Sequence, residues 1–250
     1  MIVYCLKLLN YYNYMTASKY FDYVALINMD KSKDRWVNSF TEMNKHKLLG
    51  GRLEPAIDGF EFCPWGDALA DEPSNSRRLK YMRELMLKDG SMNPTPYKLN
   101  CGEIGIIMSL IGTFKKAIEL KYEKILIVED DFKLPFDFVN KLDFAMTEAP
   151  KDADILYLGF NKLNEKYGKF EDIDSNYWHR PLGISDEKYL KKYPVEGGFC
   201  GGYGFIINKK AMLKFIEYAY PVTYPSDTIM GRLSQSKLIK SYSLIKPLIT

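Results

Sequence analysis

The stretch ILIVEDDFKLP, residues 125–135, runs four aliphatic residues without a break into Glu129, Asp130 and Asp131. A continuous β-branched run such as KILIV (124–128) fits a strand buried on both faces, as found in sheets covered by helices on each side. The acids at its carboxyl end pose the functional question. Adjacent residues on an extended chain point to opposite faces, so Glu129 and Asp131 share one side while Asp130 takes the other. Charges so crowded call for a positive partner, or for the water of a solvated strand end. Ligands of open α/β sheets bind beyond the carboxyl ends of the strands, which is where this EDD sits. A hard divalent cation takes one or two carboxylates and fills its remaining positions with substrate phosphates, so Mg²⁺ or Mn²⁺ carrying a nucleotide diphosphate satisfies the pattern.

Working outward, strand and helix patterns alternate. YVALIN (23–28) predicts a strand, followed by a helix over 34–47, and RLEPAIDG (52–59) predicts a second strand. Residues 60–98 are irregular, rich in Pro and Gly, with one basic helical piece at 77–90. Asn100 is placed to cap a helix beginning CGEIGIIMSLIGTFKKAIEL, in which Ile104, Ile107, Met108, Ile111, Phe114 and Ile118 fall on one face. After the opening strand come a helix at 136–147, a strand at 154–158, a long loop at 160–196, a strand at 203–207 and a helix at 209–219. PSDTIMGRLSQ (225–235) starts a last helix and SYSLIKP (241–247) a last strand. This order predicts an α/β fold with a central parallel or mixed sheet flanked by helices.

With no linker in 250 residues, residues 19–250 are expected to form a single domain, preceded by an extension of undetermined structure at 1–18. The 35 basic and 32 acidic side chains are balanced and dispersed, which argues against a nucleic-acid partner. Cys5, Cys63, Cys101 and Cys200 are far apart and form no CxxC pair, so they read as reduced thiols and not as a zinc or disulfide framework. No run approaches the ~20 apolar residues of a transmembrane helix. MIVYCLKLLNYYNYM (1–15), broken by Lys7, Asn10 and Asn13, makes a poor signal peptide. The expected location is therefore the cytoplasm, free or peripheral to a membrane, in a bacterium or a large virus.

INMDKSKDR (27–35) adds Asn28 and Asp30 at a strand end and Arg35 in the first turn of a helix. These residues suit a nucleotide pocket in which a cation meets phosphate, and equally a capped helix start. Together with LEPAIDG (53–59), GEIGIIMSL (102–110), IVEDD (127–131), GGYGFIINKKA (201–211) and PSD (225–227), the chain resembles glycosyltransferase family 25. That group comprises the lipooligosaccharide galactosyltransferases and their collagen-galactosyltransferase relatives, and the resemblance covers roughly residues 22–230 in the same order.

The resemblance implies a GT-A type nucleotide-sugar transferase fold, with a mostly parallel mixed sheet, and an inverting hexosyltransferase. It also implies a UDP-sugar donor such as UDP-galactose or UDP-glucose, a glycan or hydroxylated acceptor, and Mn²⁺ or Mg²⁺. Carried over, Asp131 is the leading metal ligand, Asp130 serves ribose or metal, and Glu129 supports the site. Asn28, Asp30, Arg35 and Asp58 fall on the nucleotide side, and Glu103 and Ser109 lie in the G-E-x-G and Ser-His segments. Asp227 and Glu196 are the candidate catalytic bases. Leu110 stands where the family usually has His, which keeps a catalytically inactive sugar- or partner-binding relative in view. A nucleotidyltransferase on a similar sheet is a further alternative, although INMDKSKDR lacks the glycine-rich phosphate loop that would favour it. His179 and the tryptophans Trp65 and Trp178 are expected in loops, with Trp65 and Trp178 as sugar-stacking candidates and His179 as a late metal ligand or an exposed side chain.

Overall fold

The computed structural model describes residues 19–62, 99, 101–161, 168–184, 201–220, 222 and 224–250. The expected helix at 77–90, the Asn100 cap, Trp65, Glu196 and the extension 1–18 lie outside the described residues. The elements are β1 (Tyr23–Ile27), α1 (Lys33–Lys45), β2 (Gly50–Gly51), α2 (Gly59–Phe62), α3 (Cys101–Glu119), β3 (Lys124–Glu129), α4 (Phe138–Thr147) and β4 (Ile155–Gly159). There follow β5 (Gly168–Asp172), β6 (Trp178–Ile184), β7 (Gly204–Asn208), α5 (Lys209–Tyr218), α6 (Ser226–Gln235) and β8 (Ser241–Leu244).

The described strands form one 8-stranded sheet in the order β2-β1-β3-β7-β4-β8-β6-β5. Period-two alternation divides its side chains between two cores. Ile125 and Ile127 of β3 join Ile155, Tyr157, Phe205 and Ile207 under α3, α5 and α6. Leu126 and Val128 join Val24, Leu26, Leu156 and Leu158 on the face covered by α1 and α4. The central strands are thus buried on both faces, as KILIV predicts, in three layers of helix, sheet and helix.

The sheet is mixed, with a smaller parallel share than the resemblance implies. β1 pairs in parallel with β2 and β3, and β4 with β8, while β7 runs antiparallel between β3 and β4. Parallel neighbours need a crossover connection. Antiparallel neighbours, as β7 is to both β3 and β4, do not.

RLEPAIDG does not form the second strand. That strand is only Gly50–Gly51, and Ala56 N–H donates instead to the Asn28 carbonyl at 3.0 Å. Pro55 has no N–H to give a ladder, and the segment is held by α3 rather than by the sheet. Nor is 160–196 a loop throughout. It contains the antiparallel pair β5–β6, and β6 joins β8 through Trp178↔Leu244 and His179↔Ser243. Trp178 is fully buried and its Nε1–H donates to the Ala145 carbonyl at 2.7 Å, so it is a core anchor and no sugar platform. His179 is likewise a buried strand residue, stacked on Phe170 with ring centroids 3.9 Å apart, and burial lowers its pKa. The side chain of the other histidine, His46, is 8% exposed and packs edge-on against Phe138.

At the amino edge of the sheet, acids are matched to donors. Asp154 is 6% exposed and accepts from Asn208 Nδ2 at 2.9 Å, Lys210 Nζ at 2.7 Å and Lys240 N–H at 2.8 Å. Asp22 Oδ2 accepts from the N–H groups of Glu123 and Lys124 at 2.7 and 3.0 Å. The helices α1, α3 and α6 each return to this edge through a left-handed residue, Lys47, Lys121 and Lys237, with φ of 54°, 62° and 59°. In each case the following N–H closes the turn, as Leu48 does on the Met43 carbonyl at 3.0 Å.

Candidate active site

The carboxyl ends of β1 and β3 lie side by side because the two strands pair in register from Tyr23↔Ile125 to Ile27↔Glu129. INMDKSKDR and EDD are thereby brought into contact. Asn28, almost wholly buried, donates from Nδ2 to Asp130 Oδ2 at 2.7 Å and to the Ser32 carbonyl at 3.1 Å. Arg35 Nη1 donates to Asp130 Oδ1 at 3.0 Å, and Ser39 Oγ donates to the Asp130 carbonyl at 2.8 Å. Both carboxylate oxygens of Asp130 are therefore engaged by the protein. Its position fixes the Arg35 guanidinium, whose pKa is raised first by that hydrogen bond and then by the charges of Asp130 and Asp131.

Asp131, in the turn that follows β3, is 66% exposed, with Arg35 3.9 Å off. Asp58 pairs with Lys31 and accepts the Phe60 N–H at 3.1 Å, and these contacts hold its carboxyl below the usual range. Asp30 pairs with Arg52, whose guanidinium lies 4.8 Å above the Trp36 ring, so it stands apart from the strand-end acids.

AIDG and GEIG also meet. A Cβ on Gly59 would lie 1.6 Å from the Cys101 carbonyl oxygen, and one on Gly105 2.8 Å from Gly59 N and from the Ile57 carbonyl oxygen. Only bare backbone permits that approach. Ser109 fastens the same junction, accepting the Ile57 N–H at 2.8 Å and donating to the Gly105 carbonyl at 2.7 Å. The hydroxyl is thus committed to packing α3 against the segment that carries Asp58.

Two cavities open on this framework. The first, about 240 Å³, is lined by Lys31, Arg35, Asp58, Phe60, Ser109 and Asp130 among others. The second, about 190 Å³, is lined by Glu103, Asp227, Gly201, Gly202, Leu110 and Met230 among others. Glu129 is a wall of both. It is exposed at the cavity mouth, yet the surrounding protein desolvates its carboxyl, and the charges of Asp131, Asp227 and Asp130 add to the effect. Its pKa is raised to about 7.

Asp227 sits in the first turn of α6 and accepts the Gly201 N–H on Oδ2 at 2.7 Å. Removal from bulk water raises its pKa to about 6 against the pull of that hydrogen bond, with Glu103 adding repulsion. Gly201 needs its lack of side chain, since its φ is +70° and a Cβ would meet Asn161 at 2.8 Å. Sequence reasoning missed the second cavity as a unit, because its acids come from α3, β3 and α6, which no local pattern connects. Sequence reasoning had named Glu103, Leu110 and Asp227 separately, and all three form part of the cavity wall.

The acids fit a divalent cation in one specific sense. Among the described residues no group of three or more His, Cys, Asp or Glu side chains forms a ready-made cage. Glu129, crowded by three other carboxylates, belongs to a donor set whose repulsion a cation would relieve.

The sequence profile described as glycosyltransferase family 25 (LPS biosynthesis protein) matches residues 21–230. The mouse protein named procollagen galactosyltransferase 2 is 26% identical over 179 residues, which is 67% of this chain and 26% of that protein. An Anopheles gambiae glycosyltransferase 25 family member is 23% identical over 189 residues, covering 69% and 29% respectively. The matched region thus spans about a quarter of the length of these relatives. Solved structures align more distantly. A Thermus thermophilus protein described as a mannose-1-phosphate geranyltransferase has 11% identity and a TM-score of 0.34 over 58% of this chain and 51% of that one, so family assignment rests on sequence.

Proposed function

Because the chain belongs to glycosyltransferase family 25, we propose that its paired cavities transfer a hexose from a UDP-sugar, UDP-galactose or UDP-glucose, to a hydroxyl of a glycan or other hydroxylated acceptor. The observation that carries this reading is Glu129 standing between a cavity with Lys31 and Arg35 in its wall and one with Asp227 and Glu103 in its wall. A diphosphate suits the first and a hydroxyl awaiting deprotonation suits the second. The fold is read as GT-A type on the same grounds.

Asp131, aided by Glu129, would hold Mn²⁺ or Mg²⁺. When bound, such an ion neutralises the leaving diphosphate. Arg35, braced by Asp130 and Asn28, and Lys31, braced by Asp58, orient that group and share its charge. Asp227 receives the acceptor hydroxyl proton, and its pKa of about 6 makes it a stronger base than an ordinary aspartate while leaving it largely ionised at neutral pH. The acceptor oxygen forms its bond to the anomeric carbon as the bond to the diphosphate oxygen breaks on the opposite side, which inverts the centre. Leu110 offers no imidazole for this step, which supports the reading of a carboxylate as the base.

Donor hydrolysis over UDP-, GDP- and CMP-sugars, with Mn²⁺ present or chelated, tests the reading. Metal-dependent turnover of a UDP-hexose that Asp131→Ala abolishes with the fold intact is the expected result; undiminished turnover in that variant overturns the metal assignment. Metal-dependent UDP binding without turnover across a broad acceptor panel would instead favour a sugar-binding relative, the reading that Leu110 keeps open.

A further inference from the structure

The carboxyl edge of the sheet carries another concavity, away from the two cavities and sharing no residue with them. β8 runs in the same direction as β3, because β8 is parallel to β4 and β7 lies antiparallel to both β3 and β4. The segments leaving β3 and β8 therefore emerge on one side. They are tied together where Thr250 N–H donates to the Lys133 carbonyl at 3.1 Å. With α4 they enclose a groove of about 700 Å³.

Leu134, Pro135, Leu244 and Leu248 are among the apolar residues of its wall. Its ionisable lining residues of definite charge are all cationic: Lys133, Lys141 and Lys246. Lys141 is paired with Asp137 at 2.9 Å, whereas Lys133 and Lys246 have no ion pair among the described residues. Large apolar side chains stand out around the groove. Phe144 is 63% exposed and Ile245 42%, and Phe136, next to Pro135, is 101% exposed. A cluster of that kind on a folded surface marks an interaction site.

We propose that this surface docks on an anionic lipid bilayer. Phe136, Phe144 and Ile245 enter the boundary between headgroups and acyl chains, while Lys133 and Lys246 meet headgroup phosphates. Charge complementarity selects this occupant. A second copy meeting the same face through a two-fold axis would set the lysines of one chain against those of the other. The inference does not depend on the proposed sugar transfer, since a protein with no turnover would dock in the same way.

Co-sedimentation of the full chain with phosphatidylcholine vesicles, with and without phosphatidylglycerol, tests the proposal. Pelleting is expected with the anionic vesicles only, weakening as salt rises. Phe136→Ser, and separately the double variant Lys133→Glu/Lys246→Glu, are each expected to lower vesicle affinity roughly tenfold or more, with circular dichroism and donor turnover in solution unchanged. Equal binding to neutral and anionic vesicles, or wild-type affinity in both variants, overturns the proposal. So does a wild-type dimer in light scattering that Phe136→Ser dissociates while no vesicle binds, because the face is then an interface between copies.

Discussion

Glu129 and Asp154 are both acids at strand ends of one sheet, and their surroundings are opposite. Asp154, at the amino edge, is met by an amide side chain, a lysine and a backbone N–H, and the lysine leads the contacts that outweigh burial and lower its pKa. Glu129, at the carboxyl edge, is desolvated by the surrounding protein and repelled by Asp131, Asp227 and Asp130, and its pKa rises to about 7. One edge has matched its charges internally. The other leaves Glu129 and Asp227 with raised pKa values despite Arg35 and the Gly201 N–H, and perturbed acids of that kind mark a candidate functional site.

The contrast can be broken in four ways, in descending order of effect. Glu129→Ala is expected to lower donor turnover by roughly 100-fold or more while leaving the melting temperature equal or higher, since it removes repulsion as well as function. Steady-state kinetics and calorimetry on one preparation would show it, and a large loss of stability would contradict the contrast. Asp154→Ala should do the reverse. Deleting a buried acceptor leaves its donors unmatched, a cost of about 3 kcal/mol in denaturant unfolding, with KM for donor unchanged.

Asp227 gives a pH signature. Its proton is held more tightly in the fold, with a pKa near 6 against an ordinary 3.8, so its stabilising contribution is complete below about 3.8 and is lost as pH rises through about 6. Asp227→Asn should therefore gain stability relative to the metal-free wild type as pH is raised from 4 to 7, by less than the roughly 3 kcal/mol that two pKa units represent, because water in the cavity screens the group. A pH-independent difference between the two proteins would remove Asp227 from the list of strained acids. The smallest effect belongs to the amino edge. Lys47→Gly, Lys121→Gly and Lys237→Gly each relieve a left-handed side-chain residue and should raise stability by about 0.5–1 kcal/mol without altering turnover.

Much of the three-layer architecture was legible because YVALI and KILIV leave no polar face, and because the α3 sequence keeps its apolar residues at helical spacing. The β5–β6 hairpin was not. WHRPLGI carries a proline and a mixed pattern, and its pairing with β5 and, through Trp178 and His179, with β8 is what shows that it is sheet. EDD stands at the carboxyl edge of the sheet, as expected, yet sequence could not divide the labour of its three acids. Asp130 is committed to Asn28 and Arg35 by the parallel register of β1 and β3, a long-range fact. In the same way, AIDG and GEIG were readable as motifs, while their contact through Gly59 and Gly105 depends on two segments meeting at backbone distance.

A wall shared by two cavities also limits how this protein can change, and of the three residues common to both linings, Ile27, Ile106 and Glu129, Glu129 is the ionisable one. On the proposed transfer, a substitution at Glu129 would alter donor and acceptor preference together, so the two specificities would drift apart through residues that touch one chamber alone. Leu110 and Glu103 on one side, and Lys31 and Phe60 on the other, are the positions at which new substrate pairings would be selected first.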